Sequence, residues 1–323
     1  MTLPPGYHNK NDNKVCKLLK SLYGLKQAPR KWNEKLSNSL ISFGFKQSYN
    51  DYSMFVKVSG KLIVFLLVYV DDIIVTGNCE SEITKVKEFL KSQFLINNLG
   101  KLKSFLDIEV NVPNGICLSQ RKYCLVLLHD FGMLSCKPVK TPLESNIVFD
   151  NNKDVLMESV TDFQRLIGKL IYLTITRSDI SYAVHVLSYF LVILVSWKSK
   201  KQSTITRSST ESEYRALSSL SWELIWIFKI LYDIGFKIPI PINIFYDNES
   251  ATKLTMNPVF HDKTKHFETD VHFIREKIIK GVVRLVKISS SNQIVDIFTK
   301  SLISSQHESL SDKLSLFDPF SSK

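Results

Sequence analysis

The sequence predicts an α+β protein with antiparallel strands. The first observation is the stretch Leu62 to Gly77, LIVFLLVYVDDIIVTG, in which nine apolar residues precede two adjacent aspartates and three more apolar residues. Bare apolar runs of this length read as buried strands, and Asp tolerates tight-turn backbone. The stretch therefore reads as a β-hairpin with Asp71 and Asp72 at or beside its tip. The second observation is helical spacing of apolar residues in segments on either side of the hairpin, such as Ile83, Val86 and Leu90. The third is size and composition: 323 residues suffice for two domains with a core each, and 44% apolar with 23% charged residues is ordinary for a globular chain.

In chain order, the opening MTLPPGYHNKNDNK is polar and rich in turn formers. From Pro29 a helix is expected, with Trp32, Leu36 and Leu40 at four-residue spacing and Gly44 past its end. After the hairpin, Glu80 to Phe94 reads as a helix that covers the sheet, and the segment Leu102 to Val110 follows. Tyr123 to Phe131 reads as a short helix closed by Gly132, followed by the loop KPVKTPLESN. Two amphipathic helices come next, Thr161 to Leu173 and Ile180 to Phe190. Leu194 to Ile205 reads as a basic strand, and Thr210 to Ile234 as a long helix with Leu217, Leu220, Leu224, Ile227, Phe228 and Leu231 on one face. Ile242 to Tyr246 and Val282 to Ile288 read as strands on either side of a helix at Thr264 to Lys280. A last helix starts near Ser291, and the Ser-rich tail after Ser304 is expected to fray.

The formal charge of +11 favours a polyanionic partner, with nucleic acid first and a membrane surface or plain solubility as alternatives. The five cysteines include no C-x-x-C pair, which points to neither a disulfide framework nor a zinc ribbon and suits a reducing compartment. The longest uncharged apolar runs, Leu62 to Val70 and Tyr189 to Trp197, fall far below the roughly 18 residues of a membrane span, and no signal peptide is visible. A cytosolic or nuclear protein, not a secreted one, is expected.

The chemistry begins at Asp71 and Asp72. Burying two carboxylates beside apolar strands is costly unless cations sit there, and hard oxygen ligands select Mg²⁺ or Mn²⁺. Two such ions can hold the attacking and leaving oxygens of a phosphoryl transfer. On turn chemistry alone the pair also reads as a solvated turn. His261, His266 and His272 invite a metal reading, with Glu268 and Asp270 between the last two. At roughly 100° per residue, His266 and His272 project about 120° apart around a helix, so a zinc pair is not indicated. Lys198 and Lys200 share one face of the basic strand, where they suit either a phosphate backbone or a solvated edge.

Tyr69-Val70-Asp71-Asp72 is a Y-x-D-D box. Together with SLYGLKQAPRKW (Ser21 to Trp32), LLVYVDDIIVTG and TKHFETDVHFIREK, it resembles the polymerase region of copia-type LTR retrotransposons, from Leu3 to about Leu302. The resemblance implies a partial reverse-transcriptase palm with its primer-grip segment at 1–145, a helical connection at 146–193, an incomplete ribonuclease H-like domain at 194–303 and a flexible tail at 304–323. It implies RNA-directed DNA synthesis, with Asp71 and Asp72 as metal ligands and Gln27, Arg30 and Tyr69 at the incoming deoxynucleotide. Arg30 has the alternative of a surface Arg at a helix start.

In the nuclease part the resemblance implies Glu213, Asp247 and Asp296 as catalytic carboxylates on Mg²⁺ or Mn²⁺. Each has a structural alternative: a capping box for Glu213, with Glu211 nearby, a helix cap for Asp247 and a solvated helix face for Asp296. Lys198, Lys200, Lys201 and Arg207 would meet nucleic acid, and RNA, DNA and their hybrid are the implied partners. Two departures from the family pattern stand out. At Tyr189 to Trp197 the pattern jumps ahead, as after an internal deletion, and Asp107 stands where most relatives have Gly. The family's first catalytic Asp at each site has no counterpart here, so an inactive chain is expected. The rival reading is a catalytically dead remnant that binds nucleic acid without sequence preference.

Overall fold

The computed structural model describes residues 17–19, 21–22, 24–111, 115–144, 159–194, 209–247 and 268–316. It is an α+β structure in two compact units, one drawn from Met1–Gly100 and Trp222–Pro239, the other from Lys101–Ser221 and Ile240–Lys323.

The first unit starts with α1 (Ala28–Ser42), which carries Pro29 in its first turn, where a missing N–H costs nothing. It buries Leu36 and Leu40, and the chain leaves through Gly44 at φ +97°. Four antiparallel strands follow in the order β1 (Lys46–Gln47), β2 (Met54–Ser59), β3 (Leu62–Tyr69) and β4 (Asp72–Gly77), each paired with its sequence neighbour. Strand alternation puts Phe55, Val64, Leu66 and Val68 on one face. There they form a core with Leu36, Leu40 and Phe45 and with Val86, Leu90 and Phe94 of and beside α2 (Glu80–Gln93). Glu80 and Glu82 in the first turn of α2 and Lys91 in its last complement the helix dipole. Phe43 stacks on Phe89 with centroids 4.1 Å apart, and the Lys57 ammonium lies 4.1 Å from the Phe43 centroid. Gly77 admits the closest backbone approach: a Cβ there would stand 2.5 Å from the Ile63 carbonyl oxygen.

In the second unit, β5 (Ser104–Phe105), β6 (Ile108–Asn111) and β7 (Cys117–Ser119) form an antiparallel sheet. The β5–β6 turn is Leu106-Asp107, at φ +50° and +56°. Asp107 thus takes the left-handed backbone that favours Gly, and Leu106 takes it too. Helix α3 (Arg121–Asp130) follows, then α4 (Val160–Leu173), which is capped by the Ser159 hydroxyl accepting from the Asp162 N–H. Tyr172 of α4 donates its hydroxyl to the Leu106 carbonyl. Tyr123 donates to the Lys169 carbonyl at 3.2 Å, its ring edge-on to Tyr172, and burial pushes the Tyr123 phenol up. Lys169 and Asp130 pair at 2.5 Å, and the bond from Lys169 holds the Asp130 carboxyl below its ordinary range.

Helix α5 (Ser181–Leu194) reaches into the apolar stretch that begins at Tyr189. Ahead of it, Arg177 grips the buried Asp179 through two bonds of 2.9 and 2.8 Å. The long helix α6 (Ser209–Asp233) is divided between the units. In the first unit its Asp233 accepts from Ser48 at 2.5 Å and Asn50 at 2.8 Å, while Trp226 donates to the Asn50 carbonyl at 3.1 Å. Strand β8 (Ile242–Tyr246), helix α7 (Glu268–Ile279) and strand β9 (Val283–Lys287) follow, and β8 pairs with β9 in parallel. Ile244, Tyr246, Ile274 and Val283 are buried there. Two short helices close the described chain, α8 (Asp296–Thr299) and α9 (Ser304–Lys313). Within the span expected as a tail, α9 thus forms ten residues of helix and buries Leu310.

Candidate functional site

The hairpin tip is a two-residue turn. Tyr69 at the end of β3 pairs with Asp72 at the start of β4, which leaves Val70 and Asp71 to reverse the chain. Asp71 and Asp72 are both exposed, as is Tyr69 beside them. Val64, Leu66 and Val68 face the core, so alternation sends Tyr69 and its partner Asp72 to the opposite face. Val70 has φ +50°, a conformation that costs a β-branched residue about 1 to 3 kcal/mol. From α1, the Trp32 indole N–H donates to the Val70 carbonyl at 3.0 Å, and the Trp32 ring meets Phe94 edge-on at 5.1 Å.

Asp71 and Asp72 are adjacent carboxylates that both face solvent. Their oxygens are the donors that Mg²⁺ and Mn²⁺ take, so the residues present fit such an ion. Among the described residues no group of three or more His, Cys, Asp or Glu side chains is placed to enclose a metal. Gln27 is the N-cap of α1 and Arg30 lies in its first turn, both exposed and on the same helix as Trp32.

The other candidate residues lie in the later chain. Glu213 falls within α6, but its side chain, like that of Glu211, lies outside the described residues. Asp247 directly follows β8 and is half-buried. Asp296 is the first residue of α8, with its carboxylate 2.8 Å from the Lys300 ammonium. A cation at Asp296 would therefore compete with Lys300. Lys198, Lys200, Lys201 and Arg207 lie outside the described residues, as do His261 and His266, while His272 is exposed on α7. No helix among the described residues is long and apolar enough to cross a membrane.

The spacing of Trp32, Leu36 and Leu40 marks a packing face, and Leu36 and Leu40 are indeed core residues. The hydrogen bond from Trp32 to the tip was not expected from that spacing. The one available signal was Trp itself, whose N–H usually finds a partner when partly buried.

Compared with known proteins, residues 1–145 match the reverse transcriptase (RNA-dependent DNA polymerase) family. The chain is 36% identical to the retrovirus-related Pol polyprotein from transposon RE1 of Arabidopsis thaliana, over 97% of this chain and 26% of that protein. It is 35% identical to the corresponding polyprotein from transposon RE2 of the same plant, with the same coverage. The polyprotein from transposon TNT 1-94 of Nicotiana tabacum is 29% identical over 88% of this chain and 27% of its own length. The chain thus spans about a quarter of the length of these curated relatives. No solved structure matches it significantly. The chain belongs to the copia-type retrotransposon Pol polyproteins and covers their reverse-transcriptase region.

Proposed function

We propose that the chain is a reverse-transcriptase fragment in which Asp71 and Asp72 hold a divalent cation for RNA-directed DNA synthesis. The observation that carries this reading is the tip: two adjacent exposed carboxylates, one in a tethered two-residue turn and one at the start of the strand after it, in a chain of this family. Mg²⁺ or Mn²⁺, when bound, supplies charge stabilisation for a phosphoryl transfer. Tyr69, Gln27 and Arg30 meet the incoming deoxynucleotide, and the Arg30 guanidinium matches phosphate geometry. Residues 1–145 are then a partial palm with primer grip, 146–193 a connection and 194–303 an incomplete ribonuclease H-like part. In that last part Glu213, Asp247 and Asp296 are carboxylates of the nuclease site, and Lys198, Lys200, Lys201 and Arg207 track the backbone of RNA, DNA or their hybrid.

An internal deletion is supported by the match to the RE1 polyprotein, which extends over 378 positions although this chain has 323 residues. A protein working on these partners resides in the cytosol or nucleus. The 323 residues bind nucleic acid and cation but extend primers little, because a two-cation transfer needs more carboxylate ligands than the tip supplies. The rival, a nucleic-acid-binding remnant without cation chemistry, is favoured by the charge of +11.

The test combines primer extension on an RNA template, with Mg²⁺ and with Mn²⁺, and fluorescence anisotropy of a labelled primer–template at two salt concentrations. The expected result is binding that weakens by at least about tenfold between 50 and 200 mM salt, through counterion release, with extension at the detection floor. Extension that Asp71→Asn abolishes would show an active enzyme and overturn the inactivity. Absence of binding at low salt, or binding flat with salt, would remove both nucleic-acid readings.

A further inference from the structure

Trp32 joins three parts of the first unit. Its indole N–H reaches across 38 residues of sequence to the Val70 carbonyl at 3.0 Å. Its ring meets Phe94, at the end of α2, edge-on with centroids 5.1 Å apart. Its own helix starts at the Gln27 cap and carries Arg30 in the first turn. That helix is anchored independently of Trp32, because Leu36 and Leu40 are buried in the core.

Val70 sits in the left-handed region, and backbone strain of this kind persists only where the surroundings fix it. Val70 is 63% exposed, so packing holds it weakly. From outside the hairpin, the Trp32 indole reaches this turn through its hydrogen bond to the Val70 carbonyl. We infer that Trp32 is a positioning residue for the Asp71–Asp72 pair: through the Val70 carbonyl it holds the strained turn, and so the direction of both carboxylates, against the helix that bears Gln27 and Arg30. The inference rests on the reading of Asp71 and Asp72 as cation ligands. Trp32 touches neither cation nor substrate. The Tyr69–Asp72 pairing keeps Val70 at positive φ, but without the bond the turn loses its link to α1, and the backbone of Asp71 drifts relative to that helix. Ligand geometry tolerates only about half an ångström of such drift.

Trp32→Phe separates the roles, since it keeps an aromatic ring against Phe94 and removes the N–H. On the full chain, amide hydrogen exchange over residues 69–73 is read by mass spectrometry, and Mn²⁺ affinity by the electron paramagnetic resonance of free Mn²⁺. Asp71→Asn identifies the tip site and the melting temperature serves as control. The expected result is exchange at 69–73 about fivefold faster, on the scale of one lost hydrogen bond, with exchange in α1 and α2 unchanged. Mn²⁺ affinity at the site that Asp71→Asn removes falls by a similar factor, and the melting temperature falls by no more than the few degrees that one lost hydrogen bond costs.

Unchanged exchange at 69–73 overturns the inference whatever the metal shows, and so does faster exchange with unchanged Mn²⁺ affinity. If the wild-type chain has no Mn²⁺ site that Asp71→Asn removes, the cation reading fails and the positioning role fails with it. The exchange result then shows separately whether the tether exists. Val70→Gly gives a second check, because Gly accepts positive φ without strain. In that background Trp32→Phe has a smaller effect on exchange, and an equal effect in both backgrounds overturns the inference.

Discussion

At the scale of single residues, the β5–β6 turn carries two side chains in a backbone region that suits glycine. The resemblance leads one to expect Gly where Asp107 stands, and its φ of +56° is backbone that favours Gly. Leu106, at +50°, is equally misplaced but invisible in the sequence, because a two-residue turn is defined by its pairing partners and not by composition. Asp107→Gly relieves the strain, and a gain of about 0.5 to 1 kcal/mol is expected, read as a shift in the urea midpoint with unchanged slope. A loss of stability would mean that the Asp107 side chain contributes more than its backbone costs. Charge offers a second case. The Lys169 ammonium, bonded to Asp130, holds that carboxyl below its ordinary range. A carboxylate whose folded value is depressed contributes stability that is present above its unfolded value, near 4, and is lost as pH falls through the folded value. Lys169→Met therefore destabilises at pH 7, and the cost shrinks as pH falls below the unfolded value and the carboxyl takes up its proton, as urea midpoints measured down a pH series will show. An equal cost along the series would assign the loss to the packing of the Lys stem.

At the scale of elements, legibility follows the range of the interactions. The hairpin from Leu62 to Gly77 was readable from its apolar run and its turn residues, α2 and α4 from periodicity, and each buries residues of its own: Leu66 in the hairpin, Val86 in α2, Ile167 in α4. The tether from Trp32 to Val70 and the bond from Tyr172 to Leu106 were not readable, since both join segments far apart in sequence. Helix α9 also escaped, because a Ser-rich decapeptide lacks an apolar stripe and its one buried residue, Leu310, leaves no period to detect. Gly77 ends the hairpin stretch in the sequence, and packing gives it a reason: the neighbouring strand leaves no room for a Cβ. Gly77→Ala must push β4 from β3, where the obstacle is backbone and not a flexible side chain. A loss of about 1 to 3 kcal/mol is expected, with faster amide exchange along both strands. Exchange confined to the last pair of the ladder would show that the strand end simply frays.

At the scale of the whole molecule, motif order and packing divide the chain by different criteria. Motif order follows the family's sequence to residue 145, whereas the contacts group Lys101 onward with the later chain, because β5 to β7 and α3 meet α4 through Tyr172, Tyr123 and Lys169. Sequence reading has no access to that choice, since partners of a short sheet leave no local trace. In the first unit, by contrast, every member of the core cluster lies between Leu36 and Phe94, and every strand pairs with its sequence neighbour. That nearest-neighbour order bears on how the protein is born. Contacts so close along the chain form quickly, because little loop entropy is lost before they pair. The sheet and its two helices are thus complete in sequence at residue 94, well ahead of Trp222–Pro239, the later segment of the same unit. The strained turn with its two carboxylates can form before that segment leaves the ribosome.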